Sequence, residues 1–357
     1  MLVSTPFRAL AIVVLVAFTA GCAAPLVTVP PSSAPGSTGS PGVSPDPGTA
    51  VPSGSATAPP SPSPSASIFE VGTWTSVASL PAALGEASAV ALDGLIYVAG
   101  GISRERSLDT FQAYDPRADA WSSLAPLPNP RDHVGLATIG GRIYVSGGAD
   151  FFAPAARSQL WEYDPATNRW ASRAPMPFTR WAHAMVALDG ILYVVGGVVE
   201  GNRPNAVWSF DPATNLWDAD RAVIPTNREH LTAVAANGLV YALGGRFGAN
   251  FDVVETYDPA TDTWATAPPM PEPRGGLTAG LIGSVIHVTG GEDFDSGRTH
   301  GEHFAFDIGS GAWSRLPDMP SRRHGLASAV VDGRWYVIGG GRAPGVAVSD
   351  LVEVYAP

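Results

Sequence analysis

The sequence contains no lysine, because all 21 of its basic residues are arginine. A mechanism that needs a lysine Schiff base or a lysine nucleophile is therefore excluded. The single cysteine, Cys22, excludes an internal disulfide and a zinc site built from several thiolates. The formal net charge of −11 argues against a nucleic-acid partner, because binding to phosphates needs a cationic surface.

The first 22 residues have the layout of an export signal, with Arg8 as the positive charge and an apolar stretch over 9–18. Residues 19–22 resemble the lipobox of bacterial lipoproteins, although Thr19 departs from the usual leucine. The resemblance implies a lipid on Cys22 and an anchor at the extracytoplasmic face of the cell membrane, or in the outer membrane of a cell that has one. A plain signal peptide and an uncleaved anchor are the alternatives, and the apolar stretch is short for a membrane span.

The segment 23–68 consists mainly of Pro, Ser, Gly, Ala and Thr, and its one charge is Asp46. Such a composition buries too little apolar surface to offset the entropy of ordering. We predict a disordered stalk that holds the following domain away from the membrane.

Residues 69–357 repeat one pattern six times, with a glycine doublet every 46 to 49 residues, a tryptophan in step and a proline 19 residues before each doublet. The doublets begin at Gly100, Gly147, Gly196, Gly244, Gly290 and Gly339, and the tryptophans are Trp74, Trp121, Trp170, Trp217, Trp264 and Trp313. This pattern resembles the kelch repeat, which is about 50 residues long and makes one blade of a propeller. The resemblance implies an all-β, six-bladed kelch β-propeller, which we expect to be monomeric.

The repeat over 231–264 shows the strands of one blade. Small and apolar residues over 231–236 predict an inner strand, and Asn237-Gly238 predicts a hairpin turn into a second strand. A third strand and the strand that begins at Trp264 complete a four-stranded sheet.

The ends of the chain predict how the ring closes. Residues 69–77 read as a fourth strand that lacks the first three, and residues 351–355 read as a third strand that lacks its fourth. We predict that the two pair and complete the sixth blade, which removes exposed sheet edges.

Five repeats carry an arginine at the start of the inner strand, and the first repeat has Leu84 there. The loop between strands two and three varies most in length and shares a face with the crossovers between blades. A ring of guanidinium groups is therefore predicted around one mouth of the channel. The five repeat arginines are Arg131, Arg180, Arg228, Arg274 and Arg323. Two interpretations stay open: each arginine bonds carbonyls and carboxylates of the blades, or several bind an anionic ligand, as the resemblance to peptide-binding kelch proteins implies.

Further candidate ligand-binding residues are His133 and His230, beside the repeat arginines, and Arg298 and Glu302 in the polar segment 291–303. That segment is predicted to be a solvated loop. The alternative is a ligand or acid–base role for Glu302 or His300, with Arg298 as an anion clamp. The acids and histidines lack a spacing diagnostic of a metal site, and no cofactor is expected.

Two other features of the sequence are predicted to lie in the core and at a binding surface, respectively. His287 replaces a tyrosine of the second strand and is expected in the core. Phe151 and Phe152 lie in an exposed loop, where paired aromatic rings can anchor a protein or stack on a sugar.

The sequence supports two functions. The first is a non-enzymatic binding module that recognises an extracellular protein or glycan through the arginine-rich face. The alternative is an enzyme that acts on an anionic sugar, since the chain resembles sialate mutarotase in blade number and export. A copper radical oxidase of the galactose-oxidase kind is excluded, because its cofactor needs a cysteine that the propeller lacks. Likeness of fold alone does not choose between binding and catalysis.

Overall fold

The computed structural model describes residues 71–153, 155–199 and 205–357. These residues form strands joined by turns and loops, and no helix occurs among them. Within the same ranges there is accordingly no helix that could cross a membrane. The predicted export signal and stalk lie outside the described residues.

The strands are given in chain order. They are β1 Thr73–Ser76, β2 Ser88–Leu92, β3 Leu95–Ala99, β4 Phe111–Asp115, β5 Ala120–Ser123, β6 Gly135–Ile139, β7 Arg142–Ser146, β8 Ala149–Asp150, β9 Ala155–Ala156, β10 Leu160–Asp164, β11 Arg169–Arg173, β12 Arg180–Trp181, β13 Ala184–Leu188, β14 Ile191–Val195, β15 Val198–Val199, β16 Trp208–Asp211, β17 Leu216–Asp218, β18 Thr232–Ala236, β19 Leu239–Leu243, β20 Arg246–Phe247, β21 Ala249–Asn250, β22 Val254–Asp258, β23 Thr263–Ala267, β24 Gly275–Ile282, β25 Val285–Asp293, β26 Arg298–Thr299, β27 His303–Asp307, β28 Ala312–Leu316, β29 Ala327–Val331, β30 Arg334–Ile338 and β31 Val352–Ala356.

Six antiparallel sheets of four long strands form the blades of a propeller, which confirms the predicted fold class. Blade 1 is β2–β3–β4–β5, blade 2 is β6–β7–β10–β11, blade 3 is β13–β14–β16–β17, blade 4 is β18–β19–β22–β23, blade 5 is β24–β25–β27–β28, and blade 6 is β29–β30–β31–β1. The remaining short strands decorate the loops between the second and third strands and one crossover.

Blade 6 is completed from both ends of the described chain, as the sequence predicts. Strand β1 pairs antiparallel with β31, from Thr73 opposite Ala356 to Ser76 opposite Glu353. The Trp74 ring packs beside Trp335, with their ring centroids 5.8 Å apart. Strand β31 therefore has a partner on each side and no open edge.

Local chemistry sets the geometry inside each blade. In blade 4 the inner strand turns into β19 at Asn237 and Gly238, whose φ angles are 51° and 77°. Positive φ at both central residues suits a two-residue hairpin, and Asn-Gly is the preferred pair for it. Val240 and Ala242 of β19 then lie fully buried between neighbouring blades.

The outer strands are joined to the crossovers by tryptophan side chains. In each blade the indole Nε1–H donates to a carbonyl oxygen of the crossover that enters that blade. The pairs are Trp74 with Pro317, Trp121 with Ala78, Trp170 with Ala125, Trp217 with Ala174, Trp264 with Ala222, and Trp313 with Pro268. The recurring tryptophan therefore fixes each blade to the segment that leaves the preceding blade.

Deletion of Thr73–Ser76 is expected to abolish soluble, monomeric folding, because β31 would keep an unpaired edge. The matched control replaces the exposed side chains Thr73, Thr75 and Ser76 with alanine and keeps the backbone pairing. Size-exclusion chromatography and thermal unfolding should show a folded monomer for the control. A folded, monomeric deletion variant would contradict the closure by β1.

Candidate functional site

The five repeat arginines lie inside the blades, and each has an exposed fraction of 0%. The expectation that Arg131, Arg180, Arg228, Arg274 and Arg323 form a ring of guanidinium groups open to the channel mouth is therefore corrected. Side chains without exposed surface offer nothing to a ligand in this structure. The first of the two interpretations, bonding within the propeller, describes their contacts.

The contacts of Arg228 illustrate the arrangement. Its guanidinium donates to the carbonyl oxygens of Thr226 and Ala242, at 2.9 and 3.0 Å, and forms a buried ion pair with Glu255. Arg323 has the equivalent carboxylate in Glu353, at 2.7 Å. Each of these arginines thus joins the start of the inner strand to the second and third strands of its own blade.

Blades 2 and 3 use aromatic rings at this place. The Arg131 guanidinium lies 3.5 Å from the centre of the Trp161 ring, and that of Arg180 lies 3.7 Å from the centre of Trp208. Arg131 also donates to the carbonyl oxygen of Gly147 at 2.7 Å. Burial lowers the pKa of Arg180 to about 9, which leaves the side chain cationic at neutral pH.

In each blade, the two residues after the repeat arginine, or after Leu84 in blade 1, form the centre of one face of the propeller. This face carries the crossovers and the loops between strands two and three. The second of the two residues has a left-handed φ between 51° and 69° in every blade. We call this set the inner ring: Glu86, His133, Ala182, His230, Gly276 and Gly325. Each member donates its backbone N–H to the carbonyl oxygen of the equivalent residue in the preceding blade, over 2.9 to 3.1 Å.

The inner ring brings three polar side chains together. His133 Nε2 lies 3.3 Å from Glu86 Oε2, and the His133 and His230 rings are 4.8 Å apart between centroids. Two of the predicted ligand-binding residues, His133 and His230, therefore meet at one place. Trp181 packs edge-on against both histidines, with centroid distances of 5.3 and 5.9 Å.

A cavity of about 500 Å³ opens above the inner ring, and we call it the central pocket. Its floor carries the polar side chains, and its walls are mainly apolar. The lining includes Glu86, Ile102, His133, Phe151, Trp181, Val198, Glu229, His230, Arg246, Phe247, Glu292, Phe294 and Val346. The predicted sharing of one face by the crossovers and the variable loops is thus realised in this pocket.

Among the described residues that line the central pocket, Arg246 is the one arginine. Its Nε donates to Glu229 Oε1 at 2.9 Å, and its NH1 contacts the buried carboxylate of Glu292. Glu292 also lies 3.3 Å from His324 Nε2 and accepts the backbone N–H of Gly345 at 2.9 Å. This network orders the loops of blades 4, 5 and 6 around the pocket.

The two histidines of the inner ring differ in electrostatic surroundings. Desolvation lowers the pKa of His133, but the carboxylates of Glu86 and Asp132 outweigh it and leave that pKa raised. Desolvation lowers the pKa of His230 well below its usual value, and the charges of His133, Arg246 and His324 add to this effect. Opposite shifts in adjacent groups are common in functional sites.

Arg298 and Glu302 belong to a second cluster, which is separate from the central pocket. Glu302 accepts from Arg298 and lies 3.4 Å from Arg274 NH2, so it is the buried partner of a repeat arginine. Desolvation would raise the pKa of Glu302, but backbone N–H groups and the guanidinium of Arg274 lower it to about 2. The segment predicted as a solvated loop is exposed over residues 294–298, whereas His300 and Glu302 are both buried.

His287 and the phenylalanine pair lie where the sequence indicates. His287 is buried beside His303, Trp335 and Tyr355, in the core of the last two blades. Phe151 and Phe152 are 48% and 41% exposed, and their rings meet edge to face at 5.3 Å.

The residues of the site that were not predicted from the sequence are Glu86, Asp132, Trp181 and Glu229. Each lies one or two positions after the residue that aligns with the repeat arginine. A second set lies two positions after the start of a glycine doublet: Ile102, Val198, Arg246 and Glu292. Counting from these two landmarks would have found most of the pocket.

Replacing Arg228 with Met should lower the free energy of unfolding by about 3–5 kcal/mol, because Glu255 would stay buried without its partner. Arg131→Met should cost less, about 1–3 kcal/mol, because Arg131 pairs with carbonyl groups and an indole ring. Urea unfolding followed by tryptophan fluorescence measures both losses. The double variant Arg228→Met, Glu255→Met should recover part of the loss. Equal losses in the two single variants would contradict these roles.

The lowered pKa of Glu302 predicts that its contribution to stability is present above pH 4.5 and is lost as the pH falls toward 2. Glu302→Gln should therefore be less stable than the wild type by about 1–3 kcal/mol near neutral pH, with the difference shrinking below pH 4.5. Urea unfolding across a pH series measures this difference. Asp318→Asn, in the exposed pair with Arg315, is the control and should change stability by less than about 1 kcal/mol. A difference that is constant down to pH 3 would refute the assignment.

Comparison with known proteins agrees with the architecture. A family model described as the KLHDC2/KLHL20/DRC7 Kelch-repeats domain matches residues 126–291, and a Kelch motif model matches residues 83–128. No curated protein sequence matches the chain. A solved structure entitled "Structure of YjhT" is similar to 78% of this chain over 96% of its own, with a TM-score of 0.65 and 20% sequence identity. This structural similarity shows a common fold. With six four-stranded blades and kelch-repeat models matched over residues 83–291, the chain contains a kelch-repeat β-propeller.

Proposed function

We propose that this chain is an extracytoplasmic, membrane-tethered kelch module that binds a protein partner at the central pocket. The lipobox-like cysteine and the stalk support the tether. The exposed apolar side chains at the rim of the central pocket support the proposal of a protein partner. A lipid on Cys22 and an extended stalk would hold the propeller away from the bilayer and leave its face free for a neighbouring protein.

One observation carries the proposal: exposed aromatic side chains surround the pocket. Phe247 is 66% exposed, Phe294 57% and Phe151 48%, and Val346 adds 40%. All four line the central pocket, whereas Leu216 and Val223 are exposed elsewhere. A cluster of exposed apolar side chains around a cavity is typical of a protein interface, where buried aromatic anchors supply most of the binding energy.

The shape and charge of the pocket narrow the class of partner. A volume of about 500 Å³ suits one or two inserted side chains of a loop. Glu86, Glu229 and Glu292 lie at the floor, and Arg246 is already paired with two of them. This excess of carboxylates favours a partner loop whose inserted tip is neutral or basic.

The alternative of an enzyme for an anionic sugar was suggested by the resemblance to sialate mutarotase in blade number and export, and it would use arginines near the channel. The five repeat arginines are buried and bonded, and Arg246, which lines the pocket, is already paired with two carboxylates. We therefore expect no acceleration of anomer exchange of sialic acid by the full chain. A glycan partner is kept as an outcome of the binding experiment.

Photo-crosslinking on intact cells tests the proposed partner. The full chain carries p-benzoylphenylalanine in place of Phe247, which is 66% exposed at the pocket rim. The matched control carries it in place of Leu216, which is 67% exposed and follows a turn of the opposite face. We expect a discrete protein adduct from position 247 that is absent from position 216.

A second change distinguishes specific binding from random contact. Trp181→Ala removes an aromatic ring of the pocket without altering the probe at position 247. The adduct should fall at least about tenfold, because such an anchor is worth 2 kcal/mol or more. Equal adducts from both positions, or an adduct insensitive to Trp181→Ala, would overturn the proposal. A protease-resistant adduct that contains sugar would indicate a glycan partner instead.

A further inference from the structure

Three blades contribute potential metal ligands to the floor of the central pocket. Glu86, His133 and His230 occupy equivalent inner-ring positions, and one ligand atom from each lies within 4.8 Å of the other two. All three have left-handed φ angles between 51° and 53°. A backbone conformation that is unfavourable for such residues thus directs three side chains to one point.

The spacing of the ligand atoms agrees with shared coordination of an ion. His133 Nε2 and Glu86 Oε2 are 3.3 Å apart, which is long for a charge-assisted hydrogen bond. Two ligands at about 2.0–2.1 Å from a tetrahedral ion lie about 3.3–3.4 Å from one another. The Glu86 carboxylate packs closely against the backbone of Gly325, because a Cβ on that residue would lie 2.3 Å from Glu86 Oε1.

A carboxylate residue precedes each histidine in the sequence. Asp132 Oδ1 lies 2.5 Å from His133 Nδ1 in a hydrogen bond, which leaves Nε2 of His133 as its remaining ligand atom. The Glu229 carboxylate adjoins His230 Nδ1, which makes no hydrogen bond among the described residues. Carboxylates that fix the ring of a metal-binding histidine are a regular feature of metal sites. In the sequence, they make the two segments Arg-Asp-His and Arg-Glu-His.

The second cluster of acids and histidine does not share these properties. Glu272, His300 and Glu302 also lie within 4.8 Å of one another. However, Arg274 NH2 lies 2.8 Å from Glu272 and 3.4 Å from Glu302, and Arg298 contacts Glu302 as well. Two guanidinium groups already neutralise that cluster and would repel a further cation.

The geometry points to a binding site for one divalent transition-metal ion at the inner ring, with Glu86, His133 and His230 as ligands. Two imidazole nitrogens and one carboxylate oxygen suit Zn²⁺ and its first-row neighbours better than Mg²⁺ or Ca²⁺, which prefer oxygen ligands. All three residues line the central pocket and also a second cavity beside it, so an ion held by them would be accessible from these cavities. The excess of carboxylates at the floor is the charge environment that such an ion would neutralise.

Calorimetric titration of the untagged full chain with ZnCl₂, after treatment with a chelator, tests this site. We expect saturable binding of one ion per chain, and visible d–d absorption when Co²⁺ replaces Zn²⁺. His230→Asn should weaken binding at least about 100-fold, because it removes a ligand. Asparagine is tolerated at left-handed φ, so the backbone of the inner ring is kept. Asp132→Asn removes a positioning carboxylate and should weaken binding roughly 10–100-fold.

The matched control is His300→Asn, which alters the second cluster and should leave the affinity unchanged. Unfolding temperatures in the presence of EDTA establish that each variant is folded. Absence of saturable binding by the wild type would overturn the proposal, as would wild-type affinity in His230→Asn or an equal loss in His300→Asn. The titration contains no partner, so its result is independent of the proposed protein binding.

Discussion

The arrangement of the blades around the channel depends on six backbone hydrogen bonds that pass from blade to blade. Each inner-ring residue donates to its equivalent in the preceding blade, and Glu86 completes the circle by donating to Gly325. Because every donor and acceptor must point along the circle, every residue of the ring adopts a left-handed conformation. In five blades the inner strand begins two residues later, and in blade 5 Gly276 lies at the start of β24, so this circle sets the starting point of each blade. The outer tryptophan contacts then fix the same blades at the opposite edge of each sheet.

All residues of the inner ring must adopt a left-handed conformation, and this requirement bears on which of them mark a binding site. Gly276 and Gly325 adopt left-handed φ without steric cost, whereas other residues pay on the order of 1–3 kcal/mol there. Ala182 bears this cost without a polar side chain, so strain alone does not identify a site. What singles out Glu86 and the two ring histidines is that their strained positions converge on one point beneath a cavity.

The repeat pattern was sufficient to predict the number of blades, the Asn237-Gly238 hairpin and the closure by β1, because these depend on spacing and local backbone preference. The role of the repeat arginines could not be read in the same way. Spacing gives the position of Arg131 along the chain, but not the direction of its side chain. That direction follows from the doublet glycines, where the chain leaves the sheet ladder and a carbonyl group needs a donor. Arg131 and Arg274 both donate to such a carbonyl.

His133 and His230 were predicted as binding residues, but the inner ring as a set was not, for a related reason: its members share a conformation and not a chemistry. Arg228 and Arg246 show the general difference, although only 18 positions separate them. Arg228 recurs in five blades and is buried, because it satisfies a demand that those blades have in common. Arg246 stands where the other blades have other residues, and it faces the pocket beside Glu229 and Glu292. In a propeller, a residue that recurs in nearly every blade is therefore first to be explained by the blade. Binding chemistry is to be sought at aligned positions where the blades differ, since those positions are free of the common structural demand.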